Sequence, residues 1–249
     1  MVAPQGFGYL GQALSAAEQY AAVYGAALRP GTDRVVCSPA HYVVAAYAAA
    51  AETGLLDEAA LASYGQNGSS LEAIGTERSP VPDYTCGSLG QGLSAAAGFA
   101  LADRLQGRPE VRTFAFLSDG EMQEGQVWEA AMFAGHYRLD RLTVLLDANN
   151  SQVDGPVDTI TTIEPIAAKW RAFGWDATDL DGHDAGAVAA ALAAAATASQ
   201  PQVIICRTST RHGLDCLPPD ADGHFIKLPP ELADAAAAEL TAELDRHDR

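Results

Sequence analysis

The sequence predicts an α/β fold in which a doubly wound parallel sheet carries helices on both faces. Short apolar runs with β-branched or aromatic residues end near Cys37, Leu117, Asp147 and Arg207. Helical patterns alternate with these runs, and such alternation is typical of a parallel sheet covered on both sides. Because no internal repeat or linker divides the 249 residues, we expect one domain, residues 1–249.

The strands are the short apolar runs, among them residues 113–117 and 142–146. The helices are expected at residues 15–28, 42–53, 89–105, 126–137, 185–198 and 230–249. Two segments rich in Gly and Pro, residues 65–87 and 213–230, are predicted to be loops. Loops of this length in a compact domain are often functional.

Composition limits the classes of partner. Hydrophobic residues make up 48% of the chain, which is enough for a sizeable core, and no apolar run approaches the ~20 residues that span a bilayer. The net charge of -17 disfavours nucleic acid and anionic membranes as partners. The amino terminus has no secretory pattern, and the four cysteines have no metal-ligand spacing. We therefore expect free thiols in a reducing cytoplasm.

Polar residues follow two successive predicted strands. Asp119 and Gly120 come after the first strand, and Asn149 comes after the second. A right-handed crossover makes the two strands parallel, so both loops open at the same edge of the sheet, where ligands bind. We expect Asp119 and Asn149 to converge there, although 30 residues separate them.

Carboxylate, amide and carbonyl oxygens are hard ligands that suit Mg²⁺ or Ca²⁺, with phosphate oxygens completing the shell. Gly120 would allow a phosphate to approach the backbone beside a helix N-terminus. The alternative is purely structural, with Asp119 capping a helix and Asn149 and Asn150 forming a turn.

The pattern around Asp119 and Asn149 resembles the thiamine-diphosphate-binding motif, Gly-Asp-Gly followed by a distant Asn. Four further stretches, "CGSLGQGLSAAAGFALADRL", "EGQVWEA", "LDRLTVLLDANNSQVDG" and "WRAFGWDATDLDGHD", are similar to the amino-terminal third of transketolases. The resemblance covers residues 8–227, nearly the whole chain. Ser118 stands where the motif has its first Gly, a small change that we expect to be tolerated.

The resemblance implies thiamine diphosphate as cofactor, with Mg²⁺ or Ca²⁺. It assigns the metal to the side chains of Asp119 and Asn149 and to the carbonyl of Ser151. Gly120 would contact the diphosphate, with Glu121 beside it in the same cofactor-binding set.

The resemblance also assigns residues at the reacting end of the cofactor. His41, in "SPAH", matches a histidine that contacts the diphosphate and the reacting centre, and His224, in "DGHFIK", matches a later histidine near the diphosphate and substrate. Both are expected to be catalytic. The segment Gly87, Ser88 and Leu89 matches the one over which the thiamine rings lie.

Other matches are secondary. Arg207 and Thr208 match a Lys-Thr pair that closes the site in relatives, and Glu124 and Glu129 match residues at the subunit interface. The remaining histidines are interpreted as structural or surface residues: His136, His183, His212 and His247.

Full transketolases carry two more domains, one of which supplies the glutamate that activates the cofactor. The resemblance therefore implies the amino-terminal subunit of a split transketolase, active only with a carboxyl-terminal partner, in an α₂β₂ assembly. Such an enzyme transfers a two-carbon ketol unit from a donor to an aldehyde acceptor and forms C–C bonds.

Two departures concern the substrate. Tyr9 and Ile74 stand where the family has histidines that handle sugar hydroxyls and the carbonyl, and Pro39 replaces a basic residue before His41. An intact cofactor end with an altered substrate end predicts an atypical substrate. The alternatives are a 2-oxo acid enzyme, which decarboxylates its donor, and a non-catalytic scaffold with the same fold.

Overall fold

The computed structural model describes residues 1–218 and 223–247. Its strands are β1 (Phe7–Gly8), β2 (Arg34–Pro39), β3 (Tyr84–Cys86), β4 (Thr113–Ser118), β5 (Leu142–Ala148), β6 (Asp176–Asp181), β7 (Gln202–Arg207) and β8 (Ile226–Lys227). Its α-helices are α1 (Leu10–Ala22), α2 (Val43–Glu52), α3 (Gln91–Leu105), α4 (Gly125–His136), α5 (Val157–Ile160), α6 (Ile166–Ala172), α7 (Ala185–Ala195) and α8 (Pro230–His247).

Six of the strands form one parallel sheet in the order β3-β2-β4-β5-β7-β6. The remaining pair, β1 and β8, forms a small antiparallel sheet that joins the two ends of the chain. The predicted fold class, a parallel sheet with helices on both faces, is confirmed.

Helices cover both faces of the sheet because the buried strands alternate their side chains between two cores. Phe114 and Phe116 of β4 point to a core shared with α1, α2 and α7. Ala115 and Leu117 point to a second core, shared with α3, α4 and α6. Near-continuous apolar strands, the pattern that predicted this architecture, are required when neither face meets water.

Two strands of the parallel sheet, β3 and β6, were absent from the sequence prediction, as were the two-residue strands β1 and β8. β3 has only three residues and lies within the long segment predicted to be a loop. β6 forms the opposite edge of the sheet, and four of its six residues are exposed, so it lacks an apolar run. This segment is a strand because it pairs with β7 along its whole length, and the local sequence pattern does not show that pairing.

The first helix begins earlier than predicted. α1 starts at Leu10, not Ser15, and ends in a π-helical turn over Val23–Ala27. Gly11 has poor helix propensity, which hides this start in the sequence. Residues 219–222 of the predicted loop and residues 248–249 of the predicted tail helix lie outside the described residues.

None of the helices in residues 1–218 and 223–247 is both long and apolar enough to cross a membrane.

Candidate functional site

A cavity of about 560 Å³ opens at the carboxyl ends of β2, β3, β4 and β5. Each strand contributes the residues that immediately follow it, as expected for ligand sites in parallel sheets. Of the predicted site residues, seven line this cavity: His41, Gly87, Leu89, Gly120, Glu121, Ser151 and His224. Asp119 and Asn149 are not part of its lining, and Ser88 is exposed beside it.

Asp119 links the ends of β4 and β5. Its carboxylate accepts hydrogen bonds from the backbone N–H groups of Gly120, at 2.8 Å, and Asn150, at 2.6 Å. It therefore caps the short 3₁₀ turn that follows β4, as the structural alternative predicted. Burial, helped by the charge of Asp147, raises the pKa of Asp119 to about 7 in spite of these two bonds.

Asn149 is oriented by Asp147, the last polar side chain of β5. The Asn149 amide donates to the Asp147 carboxylate at 2.8 Å, and its Oδ1 accepts from the Ser151 N–H at 2.9 Å. Asp147 is fully enclosed and accepts further bonds from four side chains: Ser15, Gln19, Tyr42 and Thr208. Burial raises the pKa of Asp147, and the hydrogen bonds from Ser15, Thr208 and Tyr42 only partly oppose this shift.

Replacing Asp147 should disturb Asn149 without removing a proposed ligand. An amide in Asp147→Asn has one acceptor oxygen instead of two, so it cannot accept from all the donors that converge there. We expect affinity for thiamine diphosphate in Mg²⁺ to fall about 10–100-fold, as for other groups that orient ligands. Calorimetry measures this directly. The control Asp140→Asn alters a partly exposed aspartate paired with Arg104, and equal affinities in both variants would contradict the orienting role.

The carboxylates of Asp119 and Asp147 lie in a region without a compensating cation. In residues 1–218 and 223–247, neither forms an ion pair with Lys, Arg or His. Buried charges are normally paired or bound to metal. The donor set of carboxylate and amide oxygens therefore fits a hard divalent cation.

Gly120 and Glu121 form the wall next to this position. A Cβ on Gly120 would lie 3.2 Å from the Gln152 Cβ, so a larger residue would crowd the gap between the two loops. Glu121 is fully buried, and one of its oxygens accepts from the Ser38 hydroxyl and, at 2.7 Å, from the Gly90 N–H. Burial raises the pKa of Glu121 to about 7. Its side chain thus ties the start of α3 to the end of β2.

Aromatic side chains gather at the other end of the cavity. The His41 and His224 ring centroids are 5.0 Å apart, and Tyr9 lies 4.8 Å from His41 and 5.6 Å from His224. Phe225 completes the cluster at 5.1 Å from Tyr9. Burial lowers the pKa of His41 to about 3, and the neighbouring His224 contributes to this shift.

The low pKa of His41 makes the fold sensitive to acid. The folded chain keeps this imidazole neutral, whereas the unfolded chain binds a proton below the ordinary pKa of 6.5. Stability is therefore lost as pH falls from 6.5 towards 3, by about 2 kcal/mol at pH 5. Urea unfolding of His41→Gln should show a weaker decline over this range, whereas His136→Gln, at the exposed end of α4, should match the parent. Parallel curves for His41→Gln and the parent would contradict the assignment.

The structure places Tyr9 and Ile74 in the cavity lining, together with Leu89 and Val153. Ile74 is 45% exposed and Val153 is 70% exposed, so this end is both apolar and open. No Lys or Arg of the described residues lines the cavity. An anionic group entering here would meet no Lys or Arg of the described residues, and the imidazoles that line the cavity are those of His41 and His224.

Some predicted residues point elsewhere. Arg207 forms ion pairs with Asp179 and Glu164 at the edge of the sheet and does not line the cavity. Thr208 donates instead to the Asp147 carboxylate.

His183 and His212 form a separate cluster with Glu18. Their rings stack at 3.6 Å, and the Ser209 N–H donates to His183 Nε2 at 2.8 Å. The His183 Nδ1 therefore carries the proton and donates to Glu18 at 3.3 Å, an arrangement that secures the loop after β7. Neither histidine lines the cavity, and their structural role stays a prediction. The side chain of His247 lies outside the described part of the chain.

Sequence reasoning missed the groups that support the site. Asp147, Ser15 and Tyr42 carry no motif of their own, and Gln12, which contacts His224 at 2.8 Å, is not titratable. The sequence offered one signal for these supporting groups. Gln12 and Gln19 are polar residues on an otherwise apolar face of α1, where they are buried.

The fold and cavity define a class of protein, a parallel α/β domain with a ligand cavity at the carboxyl edge of its sheet. Comparison with known proteins identifies the family. Residues 6–224 match the model of the transketolase thiamine diphosphate binding domain. The chain belongs to the transketolase family and carries that domain.

Two relatives of similar length resemble most of the chain. A transketolase family protein of Sinorhizobium fredii is 38% identical over 240 residues, covering 91% of this chain and 85% of its own length. The 6-deoxy-6-sulfo-D-fructose transketolase subunit SqwG of Clostridium sp. (strain MSTE9) is also 38% identical, over 248 residues, covering 96% and 90%.

A solved structure agrees with these relatives. The transketolase of Campylobacter jejuni superposes with a TM-score of 0.75 at 26% identity, covering 83% of this chain and 34% of its own length. The chain thus spans about a third of that transketolase. The predictions of a transketolase-type transferase subunit and of thiamine diphosphate as cofactor are confirmed. The relatives do not favour the 2-oxo acid enzyme or the scaffold.

Proposed function

We propose that this chain is the cofactor-anchoring subunit of a two-chain transketolase, which moves a two-carbon ketol unit from a ketose donor to an aldehyde acceptor. The observation that carries the proposal is the cavity at the carboxyl edge of the sheet. Two buried carboxylates, which form no ion pair with any described residue, lie beneath one end of it, and two histidines line the other. We further propose that residues 1–249 form one domain and that the enzyme is cytoplasmic, which suits its four free cysteines.

The metal end is proposed to hold Mg²⁺, or Ca²⁺ in its place. Asp119 and Asn149 would bind it through side-chain oxygens, and Ser151 would bind it through its carbonyl. Both side chains are already oriented by backbone N–H groups and by Asp147, so little order must be gained on binding. Gly120 would face the diphosphate, and Glu121 would keep the adjoining wall in place through Ser38 and Gly90.

The reacting end is proposed to consist of His41 and His224, with Gly87, Ser88 and Leu89 beneath the thiamine rings. When bound, thiamine diphosphate supplies the nucleophilic carbon that carries the ketol unit. The chain's own residues hold the cofactor, orient the donor and exclude water. His41 stays neutral throughout the physiological range because its pKa is about 3, so it offers one N–H and one lone pair to the substrate.

A second chain is proposed to complete the site, in an α₂β₂ assembly. One relative of similar length is named as a subunit. The exposed Met132 and Phe133 of α4, with Tyr137 directly after the helix, form an apolar strip next to the exposed Glu129, and Glu124 is exposed just before the helix. A contiguous apolar strip on a helix typically marks a protein interface.

The proposed substrate is a ketose that differs from the ordinary phosphosugars. Tyr9 and Ile74 give the outer cavity an apolar wall, and a buried sugar hydroxyl left unpaired costs roughly 1–3 kcal/mol. The relative from Clostridium is named for 6-deoxy-6-sulfo-D-fructose, whose terminal group is a sulfonate.

The test is steady-state kinetics of the reconstituted two-chain enzyme, with ribose 5-phosphate as acceptor. We expect turnover of xylulose 5-phosphate to be about 10²-fold or more slower than turnover of 6-deoxy-6-sulfofructose. Each ~1.4 kcal/mol of lost transition-state stabilisation slows the reaction about tenfold. Tyr9→His should narrow the difference by restoring the imidazole that transketolases have at this position. Efficient use of xylulose 5-phosphate by the parent enzyme would refute the altered substrate class, and no ketol transfer from either donor would refute the function.

A further inference from the structure

Gln12 lies beside His224 although 212 residues separate the two. Its Nε2 is 2.8 Å from His224 Nδ1, and Gln12 itself is fully buried. An amide nitrogen only donates, so Nδ1 is the acceptor and the proton of a neutral ring lies on Nε2. Gln12 has no exposed surface, so its side of the bond is shielded from solvent.

The backbone holds the two side chains in this arrangement. A Cβ on Gly11 would lie 2.0 Å from the Gly223 carbonyl oxygen, so the first turn of α1 touches the loop that carries His224. The same two segments are also joined by the pairing of β1, which precedes Gln12 in the chain, with β8, which follows His224. Tyr9 and His41 pack against the His224 ring at 5.6 Å and 5.0 Å and restrict its rotation.

The amide orientation follows from what each choice leaves unpaired. As placed, Gln12 Oε1 has no partner among the described residues. With the amide reversed, Oε1 would face His224 Nδ1, and the NH₂ group would take the position that has no partner. Its buried N–H donors would then be unpaired. Buried donors without partners are rarer than under-satisfied carbonyl oxygens, so the orientation in which Gln12 donates is favoured.

We propose that Gln12 is a positioning residue that holds His224 as the Nε2–H tautomer, so that His224 acts as a hydrogen-bond donor to an oxygen of the bound ligand. In this tautomer Nδ1 is occupied by Gln12, and His224 has no lone pair to offer as a base. The catalytic part of the inference rests on the proposed function, whereas the tautomer does not.

The first experiment reads the tautomer directly. Long-range ¹H–¹⁵N correlation spectra of the ¹⁵N-histidine-labelled full chain distinguish Nε2–H from Nδ1–H rings, and His224→Asn identifies the His224 signals. We expect Nε2–H in the parent chain, a mixture in Gln12→Leu, and Nδ1–H or imidazolium in Gln12→Glu, whose carboxylate only accepts. An Nδ1–H ring in the parent chain, or an unchanged tautomer in Gln12→Leu, would overturn the proposal.

The second experiment measures turnover in the two-chain enzyme. Loss of the bond in Gln12→Leu should lower kcat by about tenfold. Reversal of the tautomer in Gln12→Glu should lower it by about 10²-fold or more, because a donor to the reacting oxygens is lost.

The control Gln106→Glu makes the same charge change at the exposed end of α3 and should leave kcat unchanged. If the tautomer changes as expected while kcat does not, the donor role of His224 is wrong. If no variant or parent enzyme transfers ketol units, the proposed function fails while the spectra still decide the tautomer.

Discussion

Asp119→Ala should abolish binding of thiamine diphosphate in the presence of Mg²⁺ while leaving the chain folded. Asp119 is the carboxylate proposed to hold the metal, and it is also the acceptor that fixes the Gly120 and Asn150 backbone. Loss of groups that merely orient ligands costs 10–100-fold in metal affinity, so loss of the ligand itself should cost at least about 10²-fold. Calorimetric titration of the cofactor with and without Mg²⁺ measures both the affinity and its metal dependence.

The fold should survive this change because the carboxylate is poorly solvated. Burial and Asp147 raise the pKa of Asp119 to about 7, so the ionised form is disfavoured in the metal-free chain. Removing the carboxylate removes the free-energy cost of burying it. This gain offsets the loss of its hydrogen bonds to Gly120 and Asn150. The matched control is Asp154→Ala, an exposed aspartate in the turn after β5, which should bind normally. Unchanged affinity in Asp119→Ala, with equal circular dichroism, would rule out the metal assignment.

The isolated chain should be inactive, and addition of the carboxyl-terminal subunit should restore turnover by about 10²–10⁴-fold, the usual contribution of a positioned proton-transfer group. Thiamine activation in the family needs a glutamate from the second domain. Two glutamates of this chain line the cavity, and both are expected to serve other purposes. Glu121 is held by Ser38 and Gly90, and Glu124 is exposed at the rim.

The partner should also strengthen the effect of the cofactor on stability. A site built from both chains binds only the assembled state, and a ligand at 100 times its Kd stabilises that state by about 2.7 kcal/mol. The cofactor should therefore raise the Tm of the two-chain mixture by more than it raises the Tm of the chain alone. The Asp119→Ala subunit mixed with its partner serves as the control and should stay inactive. Full turnover by the purified chain without a partner would contradict the two-chain model.

Much of the fold could be predicted because it depends on local pattern. β4 and β5 are buried on both faces, so each had to be a continuous apolar run, and both were found within two residues of their ends. The edge strand β6 was missed since an edge strand facing solvent needs no such run. The early start of α1 was missed for a different reason, because Gly11 is kept for close contact with Gly223 and not for helix formation.

The candidate site divides in the same way. The position of Asp119 and Asn149 at one edge follows from parallel strands and a right-handed crossover, which are general rules of such sheets. The resemblance to transketolases rests on motifs that are contiguous in the sequence. The supporting contacts of Asp147 with Ser15 and Tyr42 span more than a hundred residues, and no local pattern marks them.

The sequence by itself determined the alternating α/β architecture, the edge of the sheet that carries Asp119 and Asn149, and the family. These properties depend on periodicity, on residue type at strand ends and on contiguous motifs, all of which are local. Only the tertiary structure decided that Asp147 orients Asn149, that Arg207 turns to Asp179, and that Gln12 donates to His224. The physical reason is that a hydrogen bond between distant segments depends on how whole helices and loops pack, and packing is a property of the assembled core.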